Sequence, residues 1–212
     1  MDAGGVDRSL EEYVGSKIIP MYDSFDAGHD RSHALAVIEE SLRLSAFYSV
    51  DVNVVYAAAA YHDTGLTAGR EFHHLESGRI VRNDSRLSRW FTAEQIETIA
   101  QAVEDHRASA SNEPRSIYGR ILAESDRQII PEFIILRTVQ YGARHYPELD
   151  KESQWERLCG HMMEKYAPGG YLKLYIPESR NAEGLARLQE IINDKEWLRS
   201  LFERSYREAF GK

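Results

Sequence analysis

Apolar and small residues recur every three or four positions along most of the chain, the period of helices that each bury one face. Ser9 and Glu12 fit a capping box, and Leu10, Val14 and Ile18 follow on one face. From about Asp30 to Phe47 the residues Ala34, Val37, Ile38, Ser41, Leu42 and Ser45 trace a stripe. Asp51 is placed to cap a third helix with Val54, Val55, Ala58 and Ala59 inward, and Gly65 to stop it. A short helix is predicted from near Phe72. Thr92 and Gln95 make a second capping box before Ile96, Ile99 and Val103. A helix over 117–129 aligns Tyr118, Leu122 and Ile129. Pro131 suits the first turn of the next, which runs to about Tyr146, and Asp150, Asn181 and Asn193 are cap positions for three more. Residues 167–179, with Pro168, Gly169 and Gly170, read as a loop with an extended piece, where a strand pair has no evident partner. Strands do not alternate with helices. The predicted fold class is all-α.

No linker divides the chain of 212 residues, a length that fits one domain or one domain with an added lobe. The expected organisation is a single domain over 1–212, with a core at about 25–130 and a C-terminal lobe at about 147–212 packed on it. The 26 Lys+Arg against 34 Asp+Glu give a net charge of −8, which argues against general nucleic-acid binding. No apolar run approaches the roughly 18 residues of a membrane span, and the start MDAGGVDRSLEEY has no signal-peptide stretch. A cytoplasmic protein with no membrane partner is expected. The single cysteine, Cys159, excludes an internal disulfide and a Cys-rich zinc site.

Several polar residues fall on the faces that the pattern buries. His33 lies one turn before Val37, and His62 follows Val55 and Ala58, with Asp63 after it. His74 opens the fourth helix, His106 shares a face with Ile99 and Val103, and Asp126 shares one with Leu122 and Ile129. Taken singly, such a histidine is most often a hydrogen-bonded core residue. Asp126 has Arg120 and Arg127 as alternative partners. Ionised carboxylates in a core are costly unless paired or bound to a metal. Two aspartates among several inward histidines share one solution, a divalent cation.

The order of these residues carries more. A histidine on one helix in HDRSHALAV precedes a His-Asp pair after small residues in YAAAAYHDTGL, and a distal aspartate follows in AESDRQI. This order resembles the HD-domain metal-dependent phosphohydrolase superfamily. The HDxxH opening of His29, Asp30 and His33 is similar to its small bacterial single-domain branch. The resemblance implies an HD-domain-like helical bundle with a C-terminal helical extension, and a metal held by His33, His62, Asp63 and Asp126. Two-metal members add two histidines. HLESG is similar to the HPxxG segment of the cyclic-dinucleotide phosphodiesterase branch, which points to His74, with His73 as its rival. His106, in EDHR, stands where that branch has its next histidine. The Gly-Tyr-Pro signature that follows there is absent, and the chain reads RASASNEPRS instead. A one-metal site with His74 and His106 as substrate or proton-transfer groups stays open.

Imidazole and carboxylate donors together suit Mn, Fe, Co, Ni or Zn better than Ca, with Mg also allowed and one or two ions accommodated. The resemblance implies hydrolysis of a small phosphate ester or nucleotide by attack of metal-bound water, whose pKa the ion lowers. Asp63 is then the natural bridge between two ions, and His74 or His106 protonates the leaving oxygen. Monoesterase and phosphodiesterase chemistry are both compatible. Among the arginines beside the motifs, Arg107, Arg115 and Arg127 are the candidates to hold phosphate through their planar forks. The competing function is a non-catalytic, metal-containing module that binds or senses a nucleotide. The expected partner is the small phosphorylated substrate, and a homodimer is left open.

Overall fold

Asp7, not Ser9, opens the first helix, α1 (Arg8–Lys17), by accepting the backbone N–H groups of Ser9 and Leu10. Its charge favours the positive end of the helix dipole over a neutral hydroxyl. Ser9 therefore lies inside the helix, and the expected capping box with Glu12 gives way. The Ser9 hydroxyl donates to Asp7 and accepts the Trp90 indole N–H at 2.8 Å.

The computed structural model describes residues 5–26, 28–107 and 112–211. Part of the RASASNEPRS segment, residues 108–111, and the first four residues of the acidic start lie outside these. The chain divides into two compact units, Met1–Arg127 and Gln128–Lys212. Among the described residues there is no strand, as the all-α reading requires, and no helix is long and apolar enough to cross a membrane.

In the first unit α1 is followed by a 3-10 turn (Ile19–Ser24), α2 (Arg31–Ser45), α3 (Val52–Tyr61), a 3-10 turn (Thr64–Ala68), α4 (His73–Asn83), a 3-10 turn (Ser85–Arg89), α5 (Ala93–Asp105) and α6 (Ile117–Ser125). Asp30, Asp51 and Ser116 cap α2, α3 and α6, and the Thr92–Gln95 capping box starts α5 as the sequence predicts. The axis of the unit is α3, whose residues from Val54 to Tyr61 are all buried. A helix apolar on every side must be surrounded, and α2, α5 and α6 supply its neighbours. The run from Ala57 to Ala60 keeps those neighbours close, because alanine adds almost no width or rotamer entropy.

Two helices stop earlier than their apolar pattern suggests. Gly65 does not end α3, which gives out at Tyr61 with His62 as its C-cap. Gly65 serves a close approach instead: a Cβ there would stand 2.1 Å from the His73 carbonyl oxygen and 2.5 Å from the Ser77 nitrogen. Its N–H donates to the Ser77 hydroxyl at 2.8 Å, which seats the first turn of α4 against the end of α3. Similarly α6 ends at Ser125 rather than Ile129, with Asp126 as its C-cap.

The second unit holds α7 (Pro131–His145), α8 (Lys151–Lys165), α9 (Asn181–Asn193) and α10 (Lys195–Phe210). Helix α7, which the sequence reading set before a lobe starting at about 147, thus belongs to this unit. Its core gathers Ile135, Val139, Leu158, Met162, Leu188, Ile191 and Phe202. Pro131 starts α7 and Asp150 caps α8 as expected. Asn181 does not cap α9: its side chain accepts the Ile129 N–H at 3.0 Å. Asp194, not Asn193, caps α10. The segment after α8 forms no strand pair. The N–H groups of Tyr171 and Leu172 fold back onto the Glu164 and Lys165 carbonyls.

Candidate metal centre

Five helices of the first unit deliver side chains to one point, mostly from their ends. His33 sits in the first turn of α2, His62 and Asp63 at the end of α3, and His73 on the first residue of α4. His106 and Asp126 are the C-caps of α5 and α6. A residue at a helix end can aim its side chain along the axis, beyond the last turn. The carbonyls left over there also provide acceptors. The His62 Nδ1 lies 2.8 Å from the Ala59 oxygen, and the His106 Nδ1 bonds the Val103 oxygen. The His73 Nδ1 is 2.8 Å from the Arg70 oxygen. A carbonyl only accepts, so each of these rings carries its proton on Nδ1 and turns Nε2 inward as a free donor atom.

The Nε2 atoms form two sets around Asp63. On one side the His62 Nε2 lies 3.2 Å from that of His33 and 3.1 Å from Asp63 Oδ2. Asp126 Oδ1 joins at 3.1 Å from His33 and 3.7 Å from His62. On the other side Asp63 Oδ1 is 3.3 Å from the His73 Nε2 and 3.5 Å from that of His106, and the two nitrogens are 3.3 Å apart. His33, His62 and Asp63 make one group with metal-holding geometry, and Asp63, His73 and His106 a second. Lone pairs that converge in a buried site repel unless a cation or protons lie among them. His62, Asp63 and His106 are at most 2% exposed. Nitrogen and carboxylate donors in this mixture fit a divalent ion.

Residues 31–128 match the family model of the HD domain. These residues of the chain form an HD domain. A crystal structure described as a predicted HD superfamily hydrolase, from an uncultured Thermotogales bacterium, shares the fold. Its TM-score is 0.50 and its identity 21%, over 70% of this chain and 82% of that one. No curated protein matches the chain.

In this HD domain the centre works against its own burial. Burial opposes the Asp63 carboxylate, yet the imidazoles of His62 and His106 hold its pKa well below the carboxylate range. Burial likewise opposes Asp126, and the hydrogen bond with His33 still holds it at about 2. His62 loses by burial and gains more from the Asp63 charge, so its pKa is raised. His73 is lowered, chiefly by burial.

The structure brings together His33, His62, Asp63, Asp126 and His106, and it replaces His74 by His73. One residue along a helix is a turn of about 100°, which leaves the His74 ring edge-on behind that of His73, with centroids 5.6 Å apart, while His73 reaches Asp63. The His74 Nδ1 is buried with no hydrogen-bond partner among the described residues. Burial and the Arg107 charge push the His74 pKa down to about 4. The signal for His73 lay in the backbone: it has a free carbonyl three residues earlier, as do His62 and His106.

The arginines separate too. Arg107 follows His106, donates to the Glu71 carbonyl at 2.7 Å, and its charge lowers the pKa of both His73 and His74. Arg115 is taken up by the end of α5, with bonds to Asp105, Glu104 and the Gln101 carbonyl, so it serves the helix rather than the centre. Arg127 follows Asp126, with its backbone N–H 3.3 Å from the Glu124 carbonyl. Arg70 reaches Asp26 and His29 instead.

Proposed function

We propose that this HD domain is a divalent-metal-dependent phosphohydrolase acting on a small phosphate ester or nucleotide. One observation carries the reading: the two oxygens of a single buried carboxylate, Asp63, each face their own set of imidazole Nε2 atoms. His33, His62 and Asp126 would hold one ion with Asp63 Oδ2, and His73 and His106 a second with Oδ1. Such ions acidify water and withdraw charge from a phosphoryl oxygen.

The chain's own residues do the rest. Asp63 fixes the spacing between the half-sites, because both of its oxygens belong to one rigid group. The Nδ1–carbonyl bonds hold His62, His73 and His106 in one tautomer and one orientation. Arg107 adds a positive fork next to the second half-site, suited to phosphate oxygens.

The test is elemental analysis of native protein and of Asp63→Ala, with turnover of nucleotides and phosphate esters under Mn, Co, Zn and Mg. Native protein should carry at least one ion per chain and hydrolyse a member of the panel. Equal metal in both proteins removes the reading. Bound metal without turnover on any substrate moves the protein to the nucleotide-sensing alternative.

A further inference from the structure

We propose that Tyr22 is a positioning residue of the metal centre, its hydroxyl fixing where α3 ends and so where His62 and Asp63 stand. The inference rests on the metal reading of the site. Tyr22 lies on the Ile19–Ser24 turn, outside the residues 31–128 that match the HD family model. Its side chain is fully buried, edge-on to Phe25. The hydroxyl donates to the Ala60 carbonyl at 3.0 Å and accepts the Asp63 N–H at 3.2 Å.

The need for that hydroxyl follows from the helix itself. In a continuing helix the Asp63 N–H would bond the carbonyl four residues back, that of Ala59. That oxygen is taken by the His62 ring at 2.8 Å. The chain leaves the helix at His62, and Asp63 adopts φ −108° and ψ 5°, in the bridge region between helix and strand, with its N–H turned to the Tyr22 hydroxyl. Without Tyr22, the Asp63 N–H and the Ala60 carbonyl would both be buried beside the cluster with a bond missing. With it, the backbone of the shared carboxylate is anchored from a turn that contributes no ligand.

The test compares wild type, Tyr22→Phe and Tyr61→Phe. Tyr61 is an equally buried tyrosine of the same region, and its hydroxyl donates to Asp84 at 2.6 Å. Each protein is titrated with Co(II), and the visible absorption of the bound ion is recorded. Tyr22→Phe should weaken binding by about 10–100-fold, the range for outer-shell groups, and alter the spectrum. Tyr61→Phe should lower thermal stability alone. Wild-type affinity and spectrum in Tyr22→Phe, or equal weakening in both variants, would overturn the proposal while leaving the metal site standing. A wild type that takes up no ion would overturn the metal reading, and this one with it. NMR of the wild type decides the case where Tyr22→Phe does not fold. The Tyr22 hydroxyl and Asp63 amide protons should show mutual proximity and shift together on addition of Zn(II), and signals that stay fixed would overturn the role.

Discussion

The two halves of the cluster are built differently. The half with His33, His62 and Asp126 draws on the buried alanine helix α3 and on α2 and α6 beside it, and it counts four side chains with Asp63. The other half has His73 and His106 and borrows Asp63 from the first. Its His73 is 15% exposed and stands on the first residue of a helix, held by the Arg70 carbonyl of the segment before it. The difference teaches that the halves share one residue but not one foundation. The first is set by α2 and α6 packed on α3, the second by α5 packed on α3 together with the seating of α4 on Gly65. Ions should therefore bind in order, the first half tighter than the second.

Asp63→Ala is the largest break, because it strips both halves at once. Metal content should fall to background and hydrolysis with it, read by elemental analysis and turnover. His106→Ala should remove one ion and leave the other. If His106 were a proton donor instead, metal content would hold while the rate fell by roughly 10²–10⁴-fold. Gly65→Ala should act on the same half without touching a ligand. The added carbon meets backbone atoms at 2.1 and 2.5 Å, so the first turn of α4 must move and carry His73 with it. Calorimetric titration should show the second binding event weakened at least tenfold and the first unchanged.

Lowering pH from 7 to 5 should release the ions in the reverse order of their binding. Protons compete for imidazole Nε2, so affinity falls as pH falls, first where there are fewer donors. The smallest effect sharpens the comparison most. His74→Ala should leave both ions in place and change stability by less than about 1 kcal/mol, since its buried Nδ1 makes no hydrogen bond among the described residues. His73→Ala, one position away, should lose the second ion.

Much of this was legible in the sequence. The apolar run before His62 announced a helix buried on all sides, and the inward faces of α2, α5 and α6 pointed to His33, His106 and Asp126, which the structure brings to one cluster. The errors share a cause. Spacing along a helix is a good guide within the helix and a poor one at its ends, where this centre is made. Counting back from Gly78 selected His74, yet the ring that reaches Asp63 is decided by how the first turn of α4 is seated on Gly65. The register of Leu122 with Ile129 carried α6 past Asp126, although the helix had to stop there for Asp126 to act as its C-cap. Arg115 looked free in a loop, and ion pairs with α5 that no local pattern reveals had claimed it.

The ring-to-carbonyl bonds of His62, His73 and His106 have a consequence for the life of the molecule. They hold the donors in their final poses by contacts that need no ion, so a newly folded chain is already shaped around a charge it must find. Until then Asp63 and Asp126 are held there by imidazoles alone, against the cost of their burial. An ion present at a hundredfold excess over its dissociation constant would add about 2.7 kcal/mol against unfolding. Chains that fail to load would open more often and be the first cut by proteases. Supply of the ion would thus set how long each copy survives as well as how fast it works.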